Sequence, residues 1–586
     1  MIYLNSTFGA QVPKVYDAIV IGSGAGGGMY AKVLTEAGAS VLLVDAGSHQ
    51  IDRDIRHHQW RWELPYRDQY QQDQDYTVRL KTTVHAVGTG DSESVTLFDG
   101  SAHNTYYNNH FWAKRRDWKY TFPENKPYRW VRVRALGGKT NCWDANTTRW
   151  GSIEFQPASY DGYDVDWPIT YEEMAPWYSK TERLIGVSGP DTKSEQCPPG
   201  EWLPTIGPTC PEAQLERGAD RLGLYAFMNP KAAITRDYNG RSKCHYCGRC
   251  SHGCDSGSKF TTVGVLLPPA MATGRLTLQL NSIVREIMVG GDGRAKGIAY
   301  IDRHTFQEGE AFGRNVVLCA SAIETARILL NSKSSLFPQG LANSSGQVGR
   351  NLVENVTASV SGHLLNMRNR SVTNEDGWST GMLIAPFINI DKKTRSKKFL
   401  RRYATSLDGG FGMGSSSARG GEFFGPGYKD NARSWYGTGV SVGGSGEGLQ
   451  STHNYVDIDP RVTDAWGIPA ARIQMTFGEN EQAMVKDMVE RGIDILEAAG
   501  GVVTGWQVSP SIPGGQIHEQ GTCRMGNDPK RFVTNRWGQC HDVPNLLLGD
   551  GSLHVSCSTE NPTLTILALS MRNAEHLAES VRKHEV

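Results

Sequence analysis

The sequence predicts an α/β fold with a Rossmann-like nucleotide-binding core, and three observations predict it. The chain has 586 residues, a length that suits about two to four structural units. A strand–turn–helix–strand pattern with a glycine-rich turn lies near the amino terminus. An amphipathic helix pattern, "TLTILALSMRNAEHLAESV", lies near the carboxy terminus.

The amino-terminal pattern is "YDAIVIGSGAGGGMYAKVLTEAGASVLLVDAG". A β-branched run over 18–21 predicts the first strand, an Ala- and Leu-rich stretch predicts a helix, and 41–44 predicts the second strand. Gly22, Gly24 and Gly27 fill G-x-G-x-x-G, where missing side chains let the backbone turn tightly and approach a pyrophosphate. The helix amino terminus then faces the phosphates.

An acidic residue completes this pattern. Asp45 follows Gly22 by 23 residues and ends the second strand, where a carboxylate can accept hydrogen bonds from an adenosine ribose. The motif therefore indicates a dinucleotide site, and the alternative is a tight turn without a ligand. Because NAD and FAD sites share the motif, it does not choose between them.

Charge and hydropathy exclude two classes of partner. Lys plus Arg and Asp plus Glu both number 61, so no overall basic field attracts nucleic acid. No apolar run approaches the roughly 20 residues that span a bilayer. The start, "MIYLNSTFGAQVPKVYDAIV", lacks a basic and then apolar signal region and a twin-arginine pair. We expect no nucleic-acid partner, no membrane span and no export signal on this chain.

Four cysteines cluster in "KCHYCGRCSHGC". Cys244, Cys247, Cys250 and Cys254 form C-x2-C-x2-C-x3-C, the run that holds an iron–sulfur cluster in bacterial ferredoxins. Asp255 follows where that pattern has proline, and no second run exists, so one cluster is expected. Zinc and a structural thiol loop are the alternatives, although zinc sites usually use two pairs separated by a longer spacer.

The carboxy-terminal segment carries a family resemblance. "HEQGTCRMGNDPKRF" and "LLLGDGSLHVSCSTENPTLTILALS" resemble the closing signature of the glucose-methanol-choline (GMC) oxidoreductases, flavoenzymes that oxidise alcohols and sugars. Other segments agree in chain order, namely the glycine motif, 132–150, 316–332 and 455–477. The resemblance implies the GMC-type Rossmann-like FAD domain and a second, substrate domain with a mixed or antiparallel sheet.

The resemblance also assigns catalytic roles. The histidine that opens H-x-x-G-T maps to His518, which takes the proton of the substrate hydroxyl beside the flavin. The second active-site position maps to Asn561, whose amide cannot take a proton but can hydrogen-bond the alcohol oxygen. With Asn561 as N-cap and Pro562 at the first helical position, the following helix directs its amino terminus at the flavin.

Further cofactor contacts follow from the same resemblance. Asp550 maps to the residue that lies against the ribityl and phosphate chain of FAD. Gly137, Gly138 and Asn141 belong to "GGKTNCWDANTTRW", which resembles the flavin-embracing loop of the sugar-oxidising branch. A histidine in that loop links covalently to the flavin in pyranose 2-oxidase, and Cys142 stands there in this sequence. Noncovalent FAD is expected, with attachment through the cysteine as the alternative.

The cysteine run is also similar to the cluster loop of FAD-dependent sugar dehydrogenases such as glucoside 3-dehydrogenase. In those enzymes three cysteines with separations of six and four bind a 3Fe–4S centre. Cys244, Cys250 and Cys254 fit those separations, and Cys247 is additional, so the cluster is 3Fe–4S or 4Fe–4S. Such a centre gives the flavin a one-electron outlet, which favours a dehydrogenase with an external acceptor.

The resemblance implies a substrate, partners and a location. The substrate is a sugar or glycoside whose secondary hydroxyl, at C3, becomes a ketone. The partners are a small subunit that carries the export signal and a cytochrome c or other acceptor. The location is the periplasm by co-export, or the cytoplasm. The alternatives are an oxidase that uses oxygen, with a structural cysteine loop, and a noncatalytic flavin-binding subunit.

Domain boundaries complete the expectations. The segment 56–80 is rich in Trp, Tyr, Arg and Asp, which suits either a sugar- or subunit-contacting excursion or a solvated loop. The expected FAD domain, which contains the cluster loop 243–256, comprises 1–55, 125–155, 240–355 and 505–586. The expected substrate domain comprises 156–239 and 356–504, and 56–124 is an excursion outside both.

Overall fold

The computed structural model describes most of the chain. The described residues are 14–49, 77–83, 94–98, 111–113, 117–370, 377–378, 381–409 and 425–583. The predicted excursion 56–124 therefore falls largely outside them. Among the described residues, no helix combines the length and the apolarity that crossing a bilayer requires.

The described residues form ten α-helices. Their bounds are α1 Ala25–Glu36, α2 Ser152–Phe155, α3 Pro157–Asp161, α4 Tyr171–Ile185, α5 Cys210–Arg221, α6 Leu267–Ala272, α7 Ala322–Asn331, α8 Gly425–Trp435, α9 Glu479–Ala498 and α10 Thr563–Arg582.

The described residues also form twenty β-strands. Their bounds are β1 Val15–Ile21, β2 Val41–Val44, β3 Thr77–Thr83, β4 Ser94–Phe98, β5 Tyr120–Thr121, β6 Ala226–Met228, β7 Leu276–Gln279, β8 Ser282–Val289, β9 Ala295–Asp302, β10 Glu308–Leu318, β11 Arg350–Val353, β12 Val356–Leu364, β13 Met382–Ile384, β14 Tyr403–Gly409, β15 Gly439–Gly446, β16 Tyr455–Thr463, β17 Pro469–Gln474, β18 Gly501–Trp506, β19 Gln520–Thr522 and β20 Leu546–Leu548.

The first large sheet has seven strands in the order β7-β2-β1-β10-β9-β8, with β20 also paired to β10. β7, β2, β1, β10 and β20 run parallel, whereas β8 and β9 are antiparallel to their neighbours. The middle of β1 is fully buried. This is the expected Rossmann-like arrangement, and its parallel strands end together beside the glycine turn.

The second large sheet is fully antiparallel. Its order is β18-β12-β15-β14-β13-β6, and α9 packs across β12, β15 and β18. β15 is rich in glycine because the side chains of α9 need that space. A methyl group on Gly444 would lie 2.6 Å from atoms of Met488, and one on Gly446 would lie 2.3 Å from Met484.

A third sheet joins the two large ones. Its order is β19-β11-β16-β17-β5, antiparallel except for the β17–β5 pair. β11 leads into β12 of the antiparallel sheet, and β19 follows the segment that contains His518. The α/β fold class, with a mixed sheet and an antiparallel sheet, is confirmed. The exact domain boundaries stay a prediction.

Candidate active site

The glycine-rich turn after β1 forms as predicted. Gly22 has a positive φ of 92°, and its N–H donates to the Val44 carbonyl at 2.8 Å, which ties the turn to β2. A methyl group on Gly27 would lie 1.8 Å from the Gly22 carbonyl oxygen, whereas one on Gly24 would meet no atom within 4 Å. Gly27 therefore lets helix and turn pack closely, and Gly24 faces open space.

A cleft of about 1350 Å³ opens at this turn. Its walls come from the ends of β1 and β2, segment 132–143, the start of α7, segment 517–519 and the start of α10. The predicted site residues that line it are Gly22, Gly24, Asp45, Gly138, His518, Asp550 and Pro562.

Asp45 lines the cleft and is held by hydrogen bonds within the protein. Its Oδ2 accepts from the backbone N–H and the hydroxyl of Ser23, at 2.9 and 2.5 Å, and its Oδ1 accepts from Gly47 N–H at 2.6 Å. The Ser23 hydroxyl oxygen in turn accepts from Gly137 N–H at 2.8 Å. Asp45 thus fixes the glycine turn, and its contact with a ribose stays a prediction.

The predicted flavin-embracing loop packs against the turn. Gly137 and Gly138 have positive φ values of 92° and 55°, and a methyl group on Gly138 would lie 3.2 Å from Gly24 Cα. Asn141 is not among the residues that line the cleft. Its Nδ2 donates to the carbonyls of Leu136 and Gly138, at 2.9 and 3.1 Å. Asn141 therefore holds the shape of the loop, and its direct contact with the cofactor stays a prediction.

Asp550 lies at the amino terminus of α7. Its Oδ2 accepts from Ser321 N–H at 2.9 Å and from the Thr325 hydroxyl at 2.6 Å, and its Oδ1 accepts from Ser552 N–H at 2.8 Å. Burial raises the pKa of this carboxyl, although the hydrogen bonds from Ser552 and Thr325 oppose that effect. Asp550 joins β20 to α7 at the wall of the cleft.

His518 has a hydrogen-bond partner on each ring nitrogen. Nδ1 lies 2.9 Å from Asn355 Oδ1, and Nε2 lies 2.9 Å from Asn561 Nδ2. A carbonyl oxygen only accepts and an amide NH₂ only donates. Nδ1 therefore carries the proton, and Nε2 presents its lone pair toward Asn561. The two catalytic residues predicted from the sequence are in direct contact.

Asn355 was not predicted, and it fixes this tautomer. Its Nδ2 donates to the carbonyls of Gly446 at 3.2 Å and Ser558 at 2.6 Å. Those two acceptors determine which end of the Asn355 amide faces them, so Oδ1 must face His518. Asn355 lies between β11 and β12, 163 residues before His518, and no local motif marks it. What distinguishes Asn355 is that its amide is buried at a strand end, and that property is visible in the structure and not in the local sequence.

The environment of His518 keeps its ring neutral. Burial lowers the pKa of His518 to about 4, and the Lys139 ammonium adds to that effect by repelling a second positive charge. The Lys139 ammonium is itself paired with Glu519 at 2.6 Å. At neutral pH the Nε2 lone pair is therefore free to accept a proton.

Glu354 supports the backbone of the catalytic segment. Its Oε1 accepts from His518 N–H at 3.3 Å, and its Oε2 accepts from Gly514 N–H. Burial raises the pKa of Glu354 to about 7, and the negative charge of Glu519 contributes to this shift. The side chain therefore links the end of β11 to the segment that contains His518.

α10 begins one residue later than predicted. The Pro562 carbonyl accepts the first helical hydrogen bond, from Ile566 N–H at 2.9 Å, so Pro562 is the N-cap and Thr563 the first helical residue. Asn561 precedes the cap and is free to turn its amide toward His518. Thr563 and Ile566 line the cleft, so the helix amino terminus lies at its wall, as expected.

The four clustered cysteines line one small pocket beside Trp378. Tyr246 N–H contacts the Cys244 sulfur at 3.3 Å, and Lys259 N–H contacts the Cys254 sulfur at 3.4 Å. Among the residues that the structure describes, no three His, Cys, Asp or Glu side chains are arranged to hold a metal ion. The predicted ligands, Cys244, Cys247, Cys250 and Cys254, thus share a pocket without converging on one point.

Lys259 connects this pocket to the cofactor cleft. Its buried ammonium donates to the carbonyls of Cys250 at 2.6 Å, Asn141 at 2.9 Å and Trp143 at 3.2 Å. Trp143 lines the cleft, and its indole N–H donates to the Phe260 carbonyl at 2.9 Å. The cysteine pocket and the cleft therefore share a wall.

Cys142 does not line the cleft. It is buried among apolar side chains, and its sulfur lies 3.7 Å from the Lys139 carbonyl. Burial raises the pKa of its thiol to about 12, which leaves almost no thiolate at neutral pH. A thiol in this environment is a poor nucleophile.

Two family models match the chain. Residues 167–357 and 450–570 match the amino-terminal and carboxy-terminal models described as GMC oxidoreductase. Together they cover more than half of the sequence, and the second contains His518 and Asn561.

Relatives and solved structures match at full length. The chain is 29% identical over 96% of its length to 2-methyl-1,2-propanediol dehydrogenase from Mycolicibacterium austroafricanum, covering 95% of that protein. It is 26% identical over 97% of its length to the fructose dehydrogenase large subunit from Gluconobacter japonicus, covering 98% of that protein. The structure of pyridoxine 4-oxidase from Mesorbium loti matches with a TM-score of 0.58 at 17% identity, over 96% of this chain and 98% of that one.

Proposed function

The chain belongs to the GMC oxidoreductase family, and from that premise we propose that it is an FAD-dependent sugar dehydrogenase. Family membership implies FAD and a reaction at the CH–OH group of an alcohol or sugar. The proposal adds a sugar or glycoside substrate whose secondary hydroxyl, at C3, becomes a ketone. It also adds an iron–sulfur cluster as the exit for the electrons and an external acceptor.

The cleft fits FAD. The space in front of Gly24, which a methyl group would enter without contact, lies where the motif brings the backbone to a pyrophosphate. When bound there, FAD supplies a two-electron acceptor for the substrate hydride. The buried position and raised thiol pKa of Cys142 support noncovalent binding.

The single observation that carries the catalytic proposal is the pair of hydrogen bonds to His518. Nδ1–H is engaged by Asn355, so only Nε2 can accept the hydroxyl proton of the substrate. Loss of that proton makes the carbinol hydrogen easier to remove as hydride. His518 is neutral at working pH because burial disfavours its charged form.

Asn561 orients the alcohol. In the free protein its Nδ2 donates to His518 Nε2 at 2.9 Å. A substrate hydroxyl that donates to Nε2 takes the place of this bond, and the Asn561 N–H groups then donate to the alcohol oxygen. The oxygen is held between a proton acceptor and a donor that stabilises its developing negative charge.

The cysteine pocket supports the iron–sulfur proposal. Its four thiols come from one short loop, and Cys244, Cys250 and Cys254 have the spacing of the three-cysteine dehydrogenase loops. When bound there, a 3Fe–4S or 4Fe–4S cluster supplies a one-electron acceptor. The shared wall at Lys259 and Trp143 places this pocket beside the cofactor cleft.

The relatives support the substrate class and the partners. One is a diol dehydrogenase and another is the large subunit of a fructose dehydrogenase. We propose that this chain likewise works with a small subunit and passes electrons to a cytochrome c or another acceptor. Its proposed location is the periplasm, reached by co-export with that subunit, with the cytoplasm as the alternative.

An anaerobic titration of the purified protein tests the function. Methyl glucosides and free sugars should bleach the flavin absorption band, and an EPR spectrum before and after reduction should show the cluster. The position of the new ketone, read by NMR of the product, tests C3. Oxygen consumption that matches substrate oxidation, in protein without iron, would instead indicate the oxidase alternative.

A His518→Gln variant tests the base, with His453→Gln as its control because His453 is exposed. Flavin bleaching by substrate should fall by at least about 100-fold in the first variant and remain unchanged in the second. Bleaching at the wild-type rate in His518→Gln would remove His518 from the proposed role.

A further inference from the structure

A second cavity lies apart from the cofactor cleft. It measures about 500 Å³ and lies between α3 and the loop that precedes β14. Its lining shares no residue with the cleft. Its lining includes five polar or charged residues, namely Tyr160, Asp161, Arg395, Arg401 and Arg402.

The loop at this cavity is strongly basic. The stretch 391–402, "DKKTRSKKFLRR", contains seven Lys or Arg residues and one Asp, a net charge of 7 − 1 = +6. The whole chain is balanced, with 61 residues of each sign. This local excess draws anions toward the cavity.

Two of the lining arginines are almost completely buried. Arg401 is 4% exposed and Arg402 is 2% exposed. Arg402 Nε lies 3.2 Å from Glu154 and 2.9 Å from Glu447, so its charge is compensated inside the protein. Arg402 therefore anchors the loop.

Arg401 is only partly satisfied. Its Nε lies 3.4 Å from Asp161 Oδ2, and its Nη2 donates to the Tyr163 carbonyl at 3.2 Å. Its Nη1 is buried and has no hydrogen-bond partner in the protein, and the same is true of the Tyr160 hydroxyl. Buried polar groups are nearly always paired, so two unpaired donors on one cavity indicate an acceptor that binds there.

We propose that this cavity binds a phosphate-type oxyanion, either inorganic phosphate or the phosphoryl group of a small molecule. Arg401 supplies a buried N–H and Tyr160 an O–H. Arg395 adds a third donor: its Nη2 donates to the Tyr160 carbonyl at 2.7 Å, which holds the guanidinium at the cavity. Three donors from separate side chains suit a tetrahedral anion better than a planar carboxylate.

The acidic groups nearby are already engaged with arginines. Asp161 is engaged with Arg401 Nε, and Glu154 and Glu447 are engaged with Arg402. Arg395 is exposed and has no carboxylate partner among the described ion pairs. The inference does not depend on the redox function proposed above, because binding can be measured without any turnover.

Calorimetric titration of the FAD-loaded protein with inorganic phosphate, at constant ionic strength in chloride, tests this site. The loaded protein is used so that the cofactor cleft cannot take up the phosphate. Tyr160→Phe is the sharpest variant, because the hydroxyl that it removes has no partner in the protein and folding does not need it. Tyr160→Phe and Arg395→Gln should each weaken phosphate binding about tenfold.

Lys393→Gln is the matched control, because Lys393 is an exposed cation of the same loop that does not line the cavity. It should leave the phosphate affinity unchanged. Equal weakening by Lys393→Gln and Arg395→Gln would show general attraction to the basic loop and overturn the site. The absence of saturable phosphate binding would also overturn the site, and so would acetate binding as tight as that of phosphate. Comparing glycerol phosphate with phosphate then identifies the preferred source of the group.

Discussion

The two ring nitrogens of His518 have different roles, because each of them contacts a different asparagine. Asn355 accepts from Nδ1–H and so holds the proton on that side, while Asn561 occupies Nε2 until a substrate arrives. Neither amide titrates, so the tautomer is set by hydrogen-bond direction and not by a charge on either partner. This differs from a carboxylate partner, which would also raise the pKa of the ring.

Replacing Asn355 tests that role. In Asn355→Ala the ring loses its anchor, and we expect the rate constant of flavin reduction to fall on the order of 10- to 100-fold with little change in KM. In Asn355→Asp a negative charge beside Nδ1 favours the protonated ring. The acid limb of the pH–rate profile should therefore move to higher pH. An Asp variant with the wild-type pH profile would show that Asn355 does not act through His518.

Glu354 gives a prediction for stability against pH. Its pKa is raised from 4.5 to about 7 in the folded protein, so the unfolded chain loses this proton more readily. The contribution of Glu354 to the free energy of unfolding is present below pH 4.5 and is lost as the pH rises through 7. This is a change of about 3 kcal/mol.

The Glu354→Gln variant carries an amide that cannot ionise. Between pH 4.5 and 7.5 its unfolding free energy should rise relative to that of the wild type by about 3 kcal/mol. Denaturant unfolding of the FAD-loaded proteins across this range measures the difference. A difference that is the same at every pH would contradict the assignment.

Motifs predicted some of these residues and missed others for a physical reason. His518 and Asn561 stand in a recognisable segment, and their contact is as expected. Asn355, Glu354 and Lys259 act from other parts of the chain through tertiary hydrogen bonds. A side chain that works only through a tertiary contact leaves no periodicity or spacing in the sequence.

Among the structural elements, the β1–α1 turn shows how two glycines of one motif differ. Gly27 packs against the Gly22 carbonyl, whereas Gly24 faces empty space. Gly27→Ala should prevent correct folding of the turn. Gly24→Ala should fold normally but bind FAD more weakly, because its methyl group enters the space of the ligand.

FAD content and binding affinity, measured beside circular dichroism, test this pair. Gly207→Ala is the control, because a methyl group there also meets nothing within 4 Å and Gly207 does not line the cleft. Unchanged FAD affinity in Gly24→Ala would show that the pyrophosphate does not bind in front of this turn.

The cysteine loop shows how much the spacing of cysteines in a sequence can predict about a cluster site. Its short steps bring four thiols to one pocket without making them converge on one point, and spacing does not say how many of them ligate. Cys247 is exposed, whereas Cys244, Cys250 and Cys254 are at least partly covered. The less covered thiol is the one that the three-cysteine spacing leaves out.

Serine variants separate the two cluster types. If three thiolates hold the cluster, Cys247→Ser should retain its iron, while Cys250→Ser should lose most of it. Iron analysis and EPR of anaerobically purified protein measure this outcome. Equal loss of iron in both variants would indicate four ligands, and wild-type protein without iron would end the cluster proposal.

For the whole molecule, the α/β class predicted from the sequence is confirmed, whereas the sequence carried no prediction of the strand order. β1, β10 and β20 meet in one sheet although they lie hundreds of residues apart. The third sheet, which carries β11 and β19 to His518, was not foreseen. Its strands are short, and such pairings depend on where the larger sheets place the chain.

This arrangement makes FAD a link between distant parts of the chain. The cleft takes walls from the amino-terminal turn, segment 132–143, α7 and α10. FAD should bind the folded state alone, so its concentration should control stability. An excess of about 1,000 times Kd adds about 4 kcal/mol to the free energy of unfolding.

Removal of FAD should therefore lower Tm, and adding it back should raise Tm in proportion to the logarithm of its concentration. Thermal unfolding of deflavinated protein across a series of FAD concentrations measures this dependence. Gly24→Ala should show the same Tm as the wild type without FAD and a smaller rise with it. A Tm that does not change with FAD would show that FAD does not bind preferentially to the folded state.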